Sequence, residues 1–396
     1  MDYIKEAEEI FEEAKEIRRY LHMHPELSEE EYETKKYITD FLDRHNIKYY
    51  TGENDNSIVA EAGKDPSKAV GIRADFDALP ITEDTGLPYA SCTKGVMHAC
   101  GHDMHTAILM CTAAILKKHE DKIPGTVKFF FQPAEETIGG AEPMIKSGCL
   151  KNPETDVVIA LHVDPSSPSG NIVLKYGPMN AAATGFSIVV RGKGCHGAHP
   201  DMGVDPVVVS ASIILALQSI SSRFNAPTTP VIVTVGSIHG GSAGNVIPET
   251  VTLSGTVRAL DNKTFRDTIN HVNEIASFTA KSYGAEAEVK WADDFYPPLI
   301  NNNEVTKVLE NTAKELFGES KVELMEEPSL GADDFSFFTE AAKASYFNMG
   351  TAIKGEPFYP LHSEKMNPDE TTLKTGIAMF TASVFSLLGE NSLFIN

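Results

Sequence analysis

The chain has 396 residues, of which 42% are hydrophobic, 23% are charged and 8% are aromatic. This length exceeds the roughly 250–300 residues over which a single hydrophobic core grows, so at least two domains are expected, and the composition excludes a disordered, collagen-like or disulfide-scaffold protein. The 56 acidic and 34 basic residues give a net charge of −22, which disfavours nucleic acid and anionic membrane surfaces as partners.

The first 180 residues alternate helical and strand patterns. A charged amphipathic helix is predicted over residues 3–20, another begins after Ser28, and Asp103 is predicted to cap an apolar helix that runs to Glu120. Four apolar runs have the length and composition of strands: residues 57–63, 69–75, 126–132 and 156–163. This alternation predicts an α/β domain with a mostly parallel sheet and helices on both faces.

The pattern changes near residue 180 to the order β-α-β-β-α-β. Its predicted elements are strand 186–192, helix 205–224, strand 230–238, strand 249–260, helix 265–284 and strand 285–291. This order is that of a ferredoxin-like α+β domain. Residues 177–184 and 293–302 are predicted connectors, because they are rich in Gly, Pro and Asn. Residues 292–396 return to the α/β pattern, so the first domain is predicted to comprise 1–181 and 292–396 and to be interrupted by a second domain, 182–291.

Neither secretion nor a membrane anchor is predicted. The first 20 residues carry charges of both signs at helical spacing and lack the apolar stretch of a secretory signal. No later run is expected to reach the ~18 apolar residues of a membrane span. The cysteines, at positions 92, 100, 111, 149 and 195, are too few and too scattered for a disulfide framework. We therefore expect a cytoplasmic protein.

The segment from His98 to His105, HACGHDMH, concentrates three histidines and a thiol at the start of a predicted helix. Cys100 and His102 stand two residues apart, so on an extended segment their side chains fall on one side. A thiolate and an imidazole together suit an ion such as Zn²⁺. Because two ligands do not make a site, the segment alone predicts either a metal site or a polar helix start with a buried thiol.

Further candidate ligands follow two of the predicted strands. Glu135 and Glu136 come after strand 126–132, and His162 lies at the end of strand 156–163. The carboxyl ends of parallel strands form one crevice in an open sheet, so these segments are expected to converge on the cysteine–histidine segment. Neighbouring carboxylates on an extended chain point apart, so one could bind metal while the other acts as general base. A solvated acidic turn is the alternative.

Eight segments, in order along nearly the whole chain, resemble the M20 metallopeptidase family: GIRADFDALP, MHACGHDMH, QPAEE, ALHVDP, GKGCHGAHP, NVIPETVTLSGTVR, GADDFSFF and PLHSEKM. They are more similar to its N-acyl-amino-acid amidohydrolase branch, which includes hippurate, indoleacetyl-amino-acid and N-acetyl-diaminopimelate hydrolases. The resemblance implies a catalytic domain with a dinuclear centre of Zn²⁺ or Mn²⁺. It also implies a ferredoxin-like lid through which the protein forms a homodimer or a tetramer.

The resemblance also implies roles for individual residues. The metal ligands would be Cys100, His102, Glu136, His162 and His362. Glu135 would be the general base. Where the wider family has the His of an HxD motif, this chain has Asp75-Phe-Asp77, and in the branch His102 takes over as ligand. Asp75 and Asp77 are expected beside the ligands, where Asp77 would hydrogen-bond a ligand imidazole and fix its tautomer. Whether the Cys100 sulfur bridges both ions is left open.

In the predicted lid, the resemblance gives His196 the task of polarising the scissile carbonyl, often in the partner subunit's site. The neighbouring His199 is interpreted as a surface histidine. Asn245 and Arg258 resemble residues that hold the substrate carboxylate, for which a guanidinium is well suited. A solvated ion pair is the alternative for Arg258. The segment 331–335 is predicted to line a pocket.

The sequence therefore predicts a metal-dependent amidohydrolase that cleaves N-acyl-L-amino acids, with acetyl or aromatic acyl groups, to a carboxylic acid and a free amino acid. Two alternatives stay open. A cysteine amidase would use Cys100 as nucleophile with His102 or His98 as base, but it leaves the other predicted ligands without a role. A metal-bearing binding protein would bind the ligand without turnover, and the presence of Glu135 argues against it.

Overall fold

The computed structural model describes residues 1–52, 55–137 and 139–389, which form two compact units. Unit 1 contains the described residues of Met1–Met179, Ile300–Glu327 and Asp334–Asn396, and unit 2 contains Asn180–Leu299 and Pro328–Asp333. Unit 2 extends past the predicted end at residue 291, because its last strand continues to Tyr296.

The helices and strands follow in chain order. The chain first forms α1 (Tyr3–Glu9), α2 (Phe11–Met23), α3 (Tyr32–Arg44), β1 (Lys48–Thr51), β2 (Ile58–Gly63), β3 (Ala69–Asp75), α4 (His102–Lys118), β4 (Thr126–Gln132), α5 (Ala141–Lys146), β5 (Val157–Pro168), β6 (Ile172–Leu174) and β7 (Gly177–Asn180). It then forms β8 (Ala182–Arg191), β9 (Cys195–His196), α6 (Pro206–Leu217), β10 (Val231–Gly240), β11 (Val246–Ile247), β12 (Thr250–Ala259), α7 (Asn262–Ser282) and β13 (Glu286–Tyr296). The last elements are β14 (Leu299–Asn301), α8 (Asn303–Phe317), β15 (Val322–Leu324), α9 (Ser336–Ala341), β16 (Lys343–Ala352) and α10 (Leu373–Leu388).

Unit 1 is built on an eight-stranded sheet in the order β1-β2-β4-β3-β5-β16-β6-β15. The four central strands, from β4 to β16, are parallel, whereas β1, β2 and the β16–β6 contact are antiparallel. Strands β3 and β4 are buried along their whole length, which is why their sequences are nearly continuous apolar runs. The predicted α/β fold with a mostly parallel sheet is confirmed.

Helix α4 lies in the core of unit 1 and carries the cysteine–histidine segment at its start. Every residue from His102 to Leu116 is buried, and the helix contacts β3, α2 and α10. A helix that is apolar all round belongs in the interior of a protein. The start of α4 is therefore held rigidly against the carboxyl ends of the central strands.

The first residues of α4 differ from the prediction. The helix begins at His102, after Gly101 in a left-handed conformation (φ 85°), so Asp103 is not the capping residue. The Asp103 side chain is fully buried in the first turn, where its carboxylate lies 2.8 Å from Nε of Arg18. The carboxylate that was predicted to cap the helix therefore forms an ion pair with Arg18 instead.

The predicted helix 3–20 is two helices in the structure. The chain turns at Ile10, and α2 then continues to Met23. Ile10 and Phe11 both pack against the core of unit 1. Both sides of the turn are thereby held against the core.

Unit 2 has an antiparallel sheet in the order β10-β12-β8-β13, with helices α6 and α7. This is the ferredoxin-like arrangement that the β-α-β-β-α-β pattern predicts. Its core includes Ile188, Leu253, Phe265 and Val272. The two predicted connectors are largely wrong, because strands β7, β8, β13 and β14 occupy most of them. Gly and Pro in these segments lie at strand ends and did not signal loops.

Two helical segments are long and apolar enough to span a membrane by length and composition alone: Pro206–Phe224 and Glu370–Leu388. The expectation that no run reaches this length is therefore not met. The most apolar window of the second segment is 72% buried, as befits a core helix of unit 1. In the first segment, α6 packs against β8, β12 and α7, yet only 28% of the window is buried. Both are packing elements of a folded unit.

Candidate metal centre

Several segments of unit 1 meet at the carboxyl ends of its central strands. Cys100 and His102 lie at the start of α4, Glu136 follows β4, His162 belongs to β5 and His362 follows β16. The ligand atoms of Cys100, His102 and His162 lie within 4.8 Å of one another, and so do those of Cys100, Glu136 and His362. The structure thus brings all the sequence-predicted ligands into two groups that share Cys100.

The distances within these groups are short. Sγ of Cys100 lies 3.4 Å from Nε2 of His162, and Oε1 of Glu136 lies 3.3 Å from Nε2 of His362 and 3.9 Å from Nε2 of His102. Among the described residues, the buried atoms Nε2 of His102 and Oε1 of Glu136 make no hydrogen bond of good geometry, although both lie within 4 Å of other donor atoms of the cluster. Leaving buried polar atoms unpaired is costly. A divalent cation would satisfy both, and a set of thiolate, imidazole and carboxylate donors suits such an ion.

The backbone around the centre is strained at specific positions. Ala134, just before the two glutamates, has φ 55°, and His362 has φ 64°. Both residues are held there by their N–H groups: Ala134 donates to Oε1 of Glu31 at 2.9 Å, and His362 donates to the carbonyl of Ala99 at 2.8 Å. Non-glycine residues in the left-handed region persist only where the surroundings fix them. The strain therefore marks residues whose position the fold determines.

Asp77 connects the candidate ligands to one another. Its Oδ1 lies 3.2 Å from Nδ1 of His102, and its Oδ2 accepts hydrogen bonds from the backbone N–H of Glu136 at 2.9 Å and from the hydroxyl of Ser28 at 2.8 Å. A carboxylate at Nδ1 keeps the ring proton there and leaves Nε2 as an acceptor. The arrangement thus aims Nε2 of His102 at the group that contains Glu136.

Electrostatics at Cys100 bear on the cysteine-nucleophile alternative. Burial, with the nearby charge of Glu136, raises the pKa of the Cys100 thiol well above its ordinary value. Reactive cysteines have the opposite shift, because the thiolate is the nucleophile. For His102, burial opposes the charged form, but the charges of Asp75 and Cys100 more than offset it and raise the pKa. A free, reactive thiolate is therefore disfavoured at Cys100.

Beneath the centre lies a buried network that the sequence did not predict. Arg73 donates to Oδ2 of Asp75 at 2.5 Å and to Oδ1 of Asp334 at 2.7 Å. Asp334 belongs to the segment 331–335 that was predicted to line a pocket. It is fully buried and also accepts from Gln132 and the Ala141 N–H, and its carboxylate compensates the buried guanidinium. The sequence feature that could have revealed this network is Arg73, an arginine inside a fully buried strand.

The comparisons with known proteins agree with this geometry. The sequence matches the peptidase family M20/M25/M40 over residues 71–386. The chain belongs to this family. The resemblance carried by its eight motifs is thereby confirmed.

Similar M20 proteins extend over nearly the whole chain. Thermostable carboxypeptidase 1 of Saccharolobus solfataricus is 40% identical over 365 residues, which cover 91% of this chain and 91% of that protein. N-acetyl-L-cysteine deacetylase of Bacillus subtilis is 38% identical, with coverage of 95% and 88%. The Bacillus subtilis YXEP protein, a dinuclear metal binding peptidase from the M20 family, has a TM-score of 0.82 at 32% identity, with coverage of 95% and 98%. This M20 protein is a hydrolase of amide bonds that uses two divalent metal ions, and the predicted enzyme class is confirmed.

The remaining predicted residues of this M20 enzyme lie in unit 2. His196, in β9, is exposed, and its Nδ1 accepts a hydrogen bond from the Ala198 N–H at 3.0 Å. The carbonyl of Asn245 accepts from the Gly197 N–H at 2.8 Å, so Asn245 lies beside the His196 strand. Arg258 lies on the central strand β12 and is half-buried. Among the described residues, no hydrogen bond joins Arg258 to His196 or Asn245, and no acidic side chain pairs with its guanidinium.

Proposed function

We propose that this M20 enzyme hydrolyses the amide bond of N-acyl-L-amino acids, with acetyl or aromatic acyl groups, and releases a carboxylic acid and a free amino acid. The observation that carries the proposal is the donor cluster, in which Cys100, His102 and His162 are buried, with the carboxylate of Glu135 beside it. The names of the two sequence relatives point the same way. A carboxypeptidase and an N-acetyl-L-cysteine deacetylase both act on an amide bond to an amino acid with a free α-carboxylate.

The proposed ligands are Cys100, His102, Glu136, His162 and His362. Cys100 belongs to both groups of ligand atoms, so its sulfur would be within reach of either ion. The soft thiolate favours Zn²⁺, and the carboxylate and imidazoles are also compatible with Mn²⁺. When bound, the ions would lower the pKa of a water molecule and polarise the scissile carbonyl.

Glu135 is the proposed general base. Its carboxylate lies within 4.8 Å of the ligand atoms of His102 and Glu136, and it is 8% exposed. It would accept a proton from the attacking water and then deliver that proton to the leaving nitrogen. Glu136 approaches Nε2 of His362 at 3.3 Å, whereas the adjacent Glu135 is not needed in the group of Cys100, Glu136 and His362, so Glu135 can transfer protons while Glu136 stays a ligand.

In unit 2, His196 would donate a hydrogen bond to the oxygen of the scissile carbonyl as negative charge develops there. Arg258 and Asn245 would hold the substrate carboxylate. An unpaired, half-buried guanidinium supports this assignment, because a carboxylate is the partner that it lacks. Burial lowers the pKa of Arg258, and a bound carboxylate would offset this cost of burying the guanidinium.

The proposed oligomer is a homodimer, formed through unit 2, with a tetramer as the larger alternative. Helix α6 leaves the apolar side chains of Val207, Val208 and Leu215 exposed at 42%, 51% and 75%. Strand β10 is an edge strand with unpaired backbone groups. An apolar helix face beside an open sheet edge is a surface that a second copy can cover. We also propose a cytoplasmic location, because all the cysteines are unpaired.

A hydrolysis panel tests the proposed function. N-acetyl-, N-benzoyl- and N-indoleacetyl-amino acids and a dipeptide are incubated with metal-loaded enzyme, and the released amine is measured. Each substrate is paired with its α-carboxamide analogue, which keeps the scissile bond but lacks the carboxylate. We expect hydrolysis of acids and little of carboxamides, and the Arg258→Met variant should lose that preference. Activity that survives metal removal but not iodoacetamide would instead support the Cys100 nucleophile, and no turnover of any substrate would support a binding protein.

A further inference from the structure

His105, three residues after His102 on α4, lies between two buried partners. Its Nδ1 is 2.6 Å from Oδ1 of Asp75, and its Nε2 is 3.0 Å from the backbone nitrogen of Val163. His105 and Asp75 are both at most 1% exposed. Each ring nitrogen therefore has one partner of fixed chemistry, and no water is needed to satisfy either.

The two partners determine the proton on the ring. A carboxylate can only accept, so Nδ1 of His105 carries the proton, and a backbone N–H can only donate, so Nε2 is the acceptor. Both ring nitrogens of His105 are thus engaged. This excludes it as a ligand in the group that it forms with Asp75 and His102, although their atoms lie within 4.8 Å of one another.

The backbone of Val163 continues the chain of hydrogen bonds to a proposed ligand. The Val163 carbonyl accepts from Nδ1 of His162 at 2.7 Å. With the proton on Nδ1, Nε2 of His162 carries the ring's lone pair, and this is the atom 3.4 Å from Sγ of Cys100. The rings of His105 and His162 are also in contact, with centroids 4.5 Å apart and planes at 68°.

Arg73 lies at the other end of this series of hydrogen bonds, on the far side of Asp75. It pairs with Asp75 and Asp334. Burial alone would raise the pKa of Asp75, but the charge of Arg73 and the hydrogen bond from His105 hold it well below its ordinary value. The carboxylate that holds His105 is thus itself fixed by a charged hydrogen bond from Arg73.

We propose that His105 is a positioning residue that fixes the backbone at Val163, and through it the orientation and tautomer of the metal-binding ring of His162. The relay Arg73–Asp75–His105–Val163 reaches the centre without supplying a ligand. This assignment rests on the proposed ligand role of His162. Partners of this kind typically change metal affinity by about 10–100-fold.

The test measures Zn²⁺ affinity of the full-length protein by competition with a chromophoric chelator, together with the visible absorption spectrum of the Co²⁺-loaded protein. His105→Phe keeps a ring of similar size against His162 but removes both hydrogen bonds. We expect about 10–100-fold weaker Zn²⁺ binding and a changed Co²⁺ spectrum, because the ligand geometry changes. His105→Asn, whose amide can still donate to Asp75 but does not reach Val163, should change both readouts in the same direction and is the variant to use if His105→Phe does not fold.

Ile108→Ala is the matched control, because Ile108 is a fully buried residue of the same helix and has no polar atom to join the relay. It should lower Tm and leave the Co²⁺ spectrum unchanged. The proposal is overturned if the His105 variants keep the parent's affinity and spectrum, or if Ile108→Ala weakens Zn²⁺ binding as much at an equal loss of Tm. His162→Ala tests the ligand role of His162 separately from the positioning role of His105. Unchanged metal binding in that variant would refute the ligand role of His162 itself.

Discussion

The sulfur of Cys100 lies 3.4 Å from Nε2 of His162, although one residue precedes helix α4 and the other belongs to strand β5. Two donors of different chemistry are thus brought together by the sheet and not by sequence proximity. A separation this short places both within reach of a single cation. Cys100 is also in the group that contains Glu136 and His362, so its loss should affect both groups.

We predict that Cys100→Ser lowers metal occupancy, because a hydroxyl is a much poorer ligand than a thiolate for zinc-like ions. Metal content per chain, measured by mass spectrometry after gel filtration, should fall below that of the parent. Cys195→Ser is the control, since Cys195 lies in unit 2 and, among the described residues, belongs to none of the candidate ligand groups. A Cys100→Ser protein that keeps its full metal content and loses only rate would favour the nucleophile alternative.

The adjacent glutamates give a matched pair of variants. Glu135→Gln should lower kcat by about 10²–10⁴-fold, the usual range for a general base, with metal content and Tm nearly unchanged. Glu136→Gln should lower metal content as well, because Oε1 of Glu136 lies 3.3 Å from Nε2 of His362 in the donor cluster. Kinetics and metal analysis on both proteins separate the roles. Equal metal loss in the two variants would contradict the division of labour.

The sequence revealed the parts of this molecule that repeat a simple pattern. The buried strands β3 and β4 and the ferredoxin-like order of unit 2 follow from apolar periodicity, and the candidate ligands could be named from motif chemistry. The partners in hydrogen bonds and ion pairs between distant segments could not be predicted from the sequence in the same way. Asp103 looked like a helix cap, yet its carboxylate meets Arg18, which is 85 residues earlier in the chain.

The relay through His105 shows why such contacts escape sequence reasoning. The HACGHDMH segment contains the residue, but its two partners, Asp75 and Val163, come from neighbouring strands of the sheet. Only strand order and register place them on either side of one ring. The pattern identifies which residues carry chemistry, whereas the long-range pairing decides what each one does.

Gly101→Ala should disrupt the centre more than an alanine at an ordinary left-handed glycine. Gly101 has φ 85°, and a Cβ there would lie 2.4 Å from Cγ2 of Val163. We expect about 1–2 kcal/mol from the left-handed backbone and a further ~1–3 kcal/mol from overpacking. Gly95→Ala is the control, because Gly95 has φ 79° and its Cβ would meet nothing within 4 Å. Chemical denaturation should show a larger loss of unfolding free energy for Gly101→Ala than for Gly95→Ala. Equal losses would mean that the Val163 side chain moves aside without a free-energy cost.

Two neighbouring arginines test the buried network behind α4. Arg18 and Arg19 both pair with Glu370, but the Arg18 side chain is 0% exposed and also lies 2.8 Å from Asp103, whereas the Arg19 side chain is 40% exposed. Arg18→Met should lower the free energy of unfolding by about 3–5 kcal/mol, because it leaves the Asp103 charge buried without its partner. Arg19→Met should cost about 0–1 kcal/mol.

The Arg18 effect should also depend on pH. Burial raises the pKa of Asp103, but Arg18 and His22 outweigh burial and hold it well below its ordinary value. A lowered carboxyl pKa adds stability above the unfolded-state pKa of ~3.9 and loses it as the pH falls. The difference in unfolding free energy between the parent and Arg18→Met should therefore be largest at neutral pH and become smaller below about pH 4. A difference that is constant across this range would rule out Asp103 as the group responsible.

The proposed dimer leads to a test by subunit mixing. If His196 serves the partner subunit's site, then inactive His196→Ala protein and inactive Glu135→Gln protein should regain activity when their subunits exchange, because one site of the mixed dimer has both an intact base and an intact His196. Up to about half of the dimers would be mixed, each with one repaired site, so roughly a quarter of the parent's activity is the ceiling. Differently tagged subunits, captured through one tag and detected through the other, verify exchange. Verified exchange without recovery would mean that His196 acts within its own chain or takes no part in the reaction, since a mixed dimer then contains no chain with both residues intact.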